Sequence, residues 1–226
     1  MLTILILFVV AYAVLWLTHF FILKYRFQFK EDDVTMVFGL PGSGKTTLCA
    51  DIARQMYLNK RECNTAVLCN FPLHHTFKVT RNDIGKFDVR GTDYDKALIL
   101  IDEGSVIYNK RLWKDSFLQE ENSFHSMHRH YKTQEVVFAQ SWDGVDSRMR
   151  ELTSNLLYVS KARIRPFIKV RRIAKDFDII DKVPLDGYTF EKWSTRYVFA
   201  PRAWKLFDTY DAPPLPPLKL HGWYKD

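Results

Sequence analysis

The chain has 226 residues, 47% of them hydrophobic and 26% charged, which excludes a disordered polymer and leaves room for one globular α/β domain. Its three cysteines, Cys49, Cys63 and Cys69, are an odd count without C-x-x-C spacing, which excludes a disulfide framework and fits reduced thiols of a cytoplasmic domain. A formal net charge of +7 points to an anionic partner, nucleic acid or acidic lipid, without separating the two.

The first predicted element is apolar. No charged side chain occurs from Met1 to Leu23. As a helix this stretch is about 35 Å long, enough to cross a hydrocarbon core with some tilt. Lys24, Arg26 and Lys30 follow at once, and positive residues mark the cytoplasmic side. Ala11-Tyr12-Ala13 resembles a signal-peptide cleavage site, but a basic segment does not precede it and the apolar run continues past it. Residues 1–23 are therefore read as a single-pass transmembrane anchor, residues 24–33 as a juxtamembrane link, residues 34–200 as the main domain and residues 201–226 as a proline-rich tail.

The next elements carry chemistry. Val34-Thr35-Met36-Val37-Phe38 predicts a buried strand. It leads into G-L-P-G-S-G-K-T, which fills every fixed position of the G-x-x-x-x-G-K-[ST] phosphate-binding loop. Thr47 to Met56 then shows helical spacing, so strand, glycine loop and helix stand in the order this motif requires. Gly39, Gly42 and Gly44 let the backbone amides converge on one point at a helix N-terminus, where negative charge is favoured. Pro41 and Ser43 complete the loop and are counted with these glycines as nucleotide-binding residues. Lys45 is expected to reach the β- and γ-phosphates of ATP, Thr46 to ligate Mg²⁺, and Thr47 to bond the α-phosphate.

Ala66 to Asn70 predicts a strand stopped by Phe71-Pro72. Lys96-Ala97-Leu98-Ile99-Leu100-Ile101 predicts a central parallel strand, ending in Asp102 and Glu103 where open α/β sheets place ligands. Asp102 is expected to hold Mg²⁺ and Glu103 to act as general base on the attacking water. Asp115 to about Lys132 reads as a helix. It contains His125 and His128 at i, i+3 and then His130, without companions at ligand spacing to complete a metal site.

Glu135 to Ser141 predicts a third core strand, with Gln140 at its end as a candidate sensor of the γ-phosphate or the attacking water. Arg148 and Arg150 follow, each a candidate arginine finger toward a neighbouring subunit. Leu156 to Val159 and Ile164 to Ile173 read as further strands. The second is strongly basic, and Pro166 predicts an edge or a bulge there. Asp211 to Pro217 is proline-rich and expected to be extended. The fold class expected is a P-loop NTPase α/β fold, with a mainly parallel sheet flanked by helices, one N-terminal transmembrane helix and a small β-rich C-terminal segment.

The loop F-G-L-P-G-S-G-K-T-T, the strand L-I-L-I-D-E and the segment R-H-Y-K-T-Q-E-V-V-F-A-Q-S-W-D-G-V-D-S-R-M-R-E-L resemble the Zot family over roughly residues 34–160. That family, named after zonula occludens toxin, includes assembly and export NTPases of filamentous bacteriophages. The resemblance implies an ATPase at the inner membrane of a bacterial host, assembled as a homo-oligomeric ring and acting in phage extrusion on phage DNA or coat and assembly proteins. Its pattern places the NTPase before the membrane span. Here the apolar segment comes first, and no toxin activity is expected. A genome-packaging ATPase of the FtsK/HerA type and a non-hydrolysing, nucleotide-binding membrane scaffold are the alternative readings.

Overall fold

Val34–Phe38 forms β1, and each of its five residues is buried. A β-branched, apolar run leaves neither face to water, so it takes the centre of a sheet covered on both sides. Alternate residues serve the two cores: Val34, Met36 and Phe38 face one, Val37 the other. The computed structural model describes residues 2–30, 33–59, 64–84, 86, 88–89, 92–108, 124, 127, 130–174 and 189–208.

In chain order the elements are α1 (Leu2–Ile22), β1, α2 (Lys45–Leu58), β2 (Thr65–Cys69), β3 (Phe77–Lys78), a 3₁₀ turn at Arg81–Asp83, β4 (Lys96–Ile101), α3 (Gly104–Ile107), β5 (Thr133–Ala139), α4 (Ser147–Leu152), β6 (Asn155–Lys161), β7 (Phe167–Arg172), β8 (Arg196–Phe199) and α5 (Pro201–Trp204). The sheet order is β3-β2-β4-β5-β1-β6-β7-β8. The pairings from β3 through to β6 are parallel, and β7 and β8 add antiparallel. The core is thus the mainly parallel α/β sheet expected. The β-rich C-terminal part is a continuation of that sheet.

One face is covered by α2, with Leu48, Ile52 and Met56 buried, and by Ala203 of α5. The opposite face is covered by Tyr108, Phe124, Trp142 and by Met149 of α4. Because β4, β5 and β1 lie side by side and run the same way, their C-terminal ends gather at one edge. That edge receives the phosphate loop, Asp102 and Gln140.

The basic strand differs from expectation. β7 pairs with both β6 and β8, so it is not an edge strand, and Pro166 lies before it in the β6–β7 turn. Pro166 has no amide hydrogen to lend to a ladder, and the turn is where that lack does no harm. Some of the strand's cations are engaged: Arg171 stacks 3.5 Å from the Phe190 ring centroid, and Arg172 pairs with Glu191 at 3.8 Å.

The link after α1 is built into the fold. The Tyr25 amide donates to the Tyr197 carbonyl at 2.9 Å, and the Tyr197 amide to the Leu23 carbonyl at 2.8 Å, a parallel bridge along β8. Tyr25, Phe27 and Phe29 then pack on the α2 side of the sheet. Burial, with Asp51 nearby, pushes the Tyr25 hydroxyl well above its ordinary titration range. In α1 the described side chains run from Thr3 to Trp16 and are exposed. They cover about 21 Å of helix, against a hydrocarbon core of about 30 Å. Among the described residues no helix is long and apolar enough to cross a membrane. The transmembrane expectation is thus carried by the sequence of residues 1–23 and not by this geometry.

Most of the helix expected from Asp115 to Lys132, with His125 and His128, lies outside the described residues, as do Cys63 and the proline-rich segment 211–217. At its end, residues 130–132 form a turn in which Lys132 has φ 50°, immediately before β5. Among the described residues no cluster of His, Cys, Asp and Glu is arranged to hold a metal ion.

Candidate nucleotide-binding site

The phosphate loop joins β1 to α2. Gly42 and Gly44 have φ of 69° and 102°, the left-handed region that side chains other than glycine adopt at a penalty. A Cβ on Gly44 would also stand 2.6 Å from Cγ2 of Ile168, so β7 closes directly on the loop. Gly44 caps α2 without a side-chain hydrogen bond, leaving the first amides of the helix to an anion. The Ser43 hydroxyl is buried without a hydrogen-bond partner. Thr47 is buried at the start of the same helix, and Pro41 is exposed at the turn.

Lys45 lies over the loop. Its Nζ donates to the Gly39 carbonyl at 2.9 Å and the Leu40 carbonyl at 3.2 Å. Burial lowers its pKa, while Glu103 and Asp102 act the other way. This is an ammonium held at the lip of the anion nest, close to two carboxylates.

The structure brings Thr46 and Asp102 together: Oγ1 of Thr46 donates to Oδ2 of Asp102 at 2.8 Å. Asp102 is 7% exposed. Burial raises its pKa above the ordinary carboxylate range, against the lowering effect of the Thr46 hydroxyl and the Glu103 amide. A hydroxyl beside a carboxylate is the oxygen donor set that Mg²⁺ takes. The unpartnered Ser43 hydroxyl and the uncapped amides beside it are what a phosphate would satisfy. The residues present therefore fit both a nucleotide and its cation.

Glu103 is exposed, at φ 54°, a strained conformation that holds its side chain at the mouth of the site. Nε2 of Gln140 donates to both of its carboxylate oxygens, at 3.2 and 3.4 Å. The structure thus brings Lys45, Thr46, Asp102, Glu103 and Gln140 to one edge. The arginines separate. Arg150 lies over the Trp142 ring at 5.6 Å, whereas Arg148 is exposed at the start of α4.

Two residues that matter here were not singled out by sequence. Asn70 clamps Asp102: its Nδ2 donates to the Asp102 carbonyl at 2.7 Å, and its Oδ1 accepts from the Asp102 amide at 2.7 Å. Tyr108 donates to buried Glu135 at 2.6 Å, tying the segment after Glu103 to β5. The signal for Asn70 is its place one residue past β2, but it becomes readable only once β2 is known to neighbour β4. A basic cavity of about 880 Å³, lined by Lys24, Arg26, Arg172, Lys192 and Arg196 among others, lies apart from this site.

No curated protein sequence matches the chain. Among solved structures it is similar to the N-terminal domain of zonular occludens toxin from Neisseria meningitidis, at 15% identity and TM-score 0.54, covering 79% of this chain and 100% of that one. A more distant likeness is to the genome packaging NTPase B204 from Sulfolobus turreted icosahedral virus 2 in complex with AMPPCP, at 11% identity and TM-score 0.46, covering 59% of this chain and 78% of that one. The flagellar accessory protein FlaH from Methanocaldococcus jannaschii is similar at 11% identity and TM-score 0.43, covering 71% of this chain and 90% of that one. Residues 33–200 match the family described as Zonular occludens toxin (Zot), and the chain, with its P-loop NTPase fold, belongs to that family.

Proposed function

We propose that the chain is a membrane-anchored ATPase of phage morphogenesis, coupling ATP hydrolysis to movement of phage DNA or of coat and assembly proteins at the inner membrane of a bacterial host. The observation that carries the enzymatic part is the 2.8 Å contact between Thr46 of the phosphate loop and Asp102 at the end of β4, with the Glu103–Gln140 pair beside it. The anchoring part is supported by the uncharged stretch 1–23, the exposed apolar side chains of α1 and the cations that follow. The NTPase domain then faces the cytoplasm.

In this mechanism the loop amides and Lys45 hold the triphosphate and neutralise charge as it develops on the transferred phosphoryl group. Thr46 and Asp102 would hold Mg²⁺, which when bound offsets charge on the β- and γ-phosphates. Glu103 takes a proton from the attacking water as its oxygen bonds to the γ-phosphorus and the bond to the β–γ bridging oxygen breaks. Gln140 orients Glu103 and that water. In a ring, Arg148 of one subunit reaches the site of the next.

Hydrolysis by the full chain in detergent, with and without single- and double-stranded DNA, tests this reading against a Lys45→Ala control. Lys45-dependent turnover stimulated by DNA is expected for a DNA motor, of the extrusion or the FtsK/HerA packaging type. Turnover indifferent to DNA assigns the work to protein. Absence of turnover leaves a nucleotide-binding scaffold. Glu103→Gln separates enzyme from scaffold, because it should trap bound ATP and lower kcat by about 10²-fold or more in an enzyme alone.

A further inference from the structure

The β6–β7 turn stands beside α1. β6 runs parallel to β1, so this turn projects from the same end of the sheet as the phosphate loop. A cavity of about 320 Å³ separates the turn from the helix, lined by Trp16, Leu23, Arg163, Ile164, Phe167 and Tyr197. Its walls are largely apolar and aromatic, with a guanidinium at one side. No carboxylate among the described residues lines it. Lys161, Arg163, Ile164 and Arg165 around the turn are all exposed, Ile164 by 53%.

We infer that this cavity binds an anionic phospholipid of the bilayer that receives α1, its phosphate on Arg163 and its chains against Trp16, Leu23 and Phe167. The inference rests on the membrane-anchored reading and names the ligand at the junction of anchor and domain. Three observations select a lipid over a soluble anion or a nucleic acid. The cavity is bounded on one side by the apolar helix itself. Trp16 has the amphipathic ring favoured where hydrocarbon meets headgroups. An exposed isoleucine between two arginines would meet a bilayer surface well, whereas a nucleic acid calls for a groove with stacking rings along it. Surface cations attract acidic headgroups. Bound there, the lipid would also steady β7, whose Ile168 closes on Gly44 of the phosphate loop.

The test uses the full chain in neutral detergent. An environment-sensitive fluorophore is placed at Ile164→Cys with Cys63→Ser, since Cys49 and Cys69 are buried. Short-chain phosphatidylglycerol, short-chain phosphatidylcholine and glycerol phosphate are titrated in turn. Expected is a saturable blue shift with phosphatidylglycerol, far weaker with the other two. Arg163→Glu with Arg165→Glu should weaken the response by about thirtyfold or more, from the attraction lost per surface cation. Equal responses to phosphatidylglycerol and phosphatidylcholine, or to glycerol phosphate alone, would overturn the lipid assignment, as would an unaltered titration in the double variant. Carbonate extraction of the same protein from membranes tests the anchor separately. An extraction-resistant protein with no lipid response sinks this inference alone, whereas an extractable protein sinks the anchoring on which it stands.

Discussion

At the scale of single residues, the site trades stability for charge in the right place. Asp102 is a carboxylate raised in pKa by its own burial, so folding opposes its ionisation. The unfolded chain loses this proton at lower pH than the folded one. Its contribution therefore falls as pH rises from the unfolded value, about 3.9, through the raised folded one, and then stays flat. Asp102→Asn should raise the thermal midpoint of the nucleotide-free protein at pH 8 by a few degrees, ~1 kcal/mol being worth about 2–4 °C at this size. The gain should vanish in acid, while hydrolysis is lost; calorimetry across pH together with a phosphate-release assay reads both. Asn70 acts through Asp102 and is a positioning residue. Asn70→Ala removes two hydrogen bonds to the Asp102 backbone, about 1 kcal/mol each. A roughly tenfold fall in kcat with KM nearly unchanged is expected, and partial rescue by Asn70→Asp would be inconsistent with a clamp that needs both a donor and an acceptor.

At the scale of elements, short segments are held by a few buried polar contacts. α3 has four residues, too few to be stable alone, and is held at its end by the Tyr108–Glu135 bond. The Tyr108 carbonyl also accepts from the Asp146 amide at 2.9 Å, and the Asp146 side chain caps α4 through the Arg148 amide. One tyrosine thus joins the segment after Glu103, strand β5 and the helix bearing Arg148. Tyr108→Phe should destabilise by roughly 1–3 kcal/mol through loss of this buried hydrogen bond to a carboxyl group. If this bond also positions Glu103, denaturant melts and kcat will fall together. A melt that shifts with kcat intact would confine Tyr108 to a packing role.

At the scale of the whole molecule, the proposed ring needs a finger, and exposed Arg148 is tested first because Arg150 stacks on Trp142. A finger acting between subunits must leave its own surface, and Arg150 is held against Trp142. Mixing Arg148→Ala chains with Glu103→Gln chains should restore more hydrolysis than either variant alone, because mixed neighbours pair an intact arginine with an intact base. Activities that merely average would exclude a finger in trans. Arg150→Ala should lower stability through lost contact with Trp142 and leave complementation unchanged.

Much of this protein was legible in its residues taken in order. The phosphate loop is contiguous, and its signature is a local backbone shape, so G-L-P-G-S-G-K-T singles out Lys45, Thr46 and the glycines as candidates without a fold. The β-branched, largely apolar run of β1 announced a buried strand, and the five consecutive apolar residues of β4 one buried on both faces, for the same local reason. What the tertiary structure alone decided is which strand ends become neighbours. Asn70 reaches Asp102 because β2 lies beside β4, and Gln140 reaches Glu103 because β5 lies on the other side. It also decided that the cations of β7 and of the turn before it differ in use, with Arg171 stacked on Phe190 and Arg163 exposed beside Trp16. Such pairings depend on residues far apart in the chain, and periodicity and spacing carry no record of them.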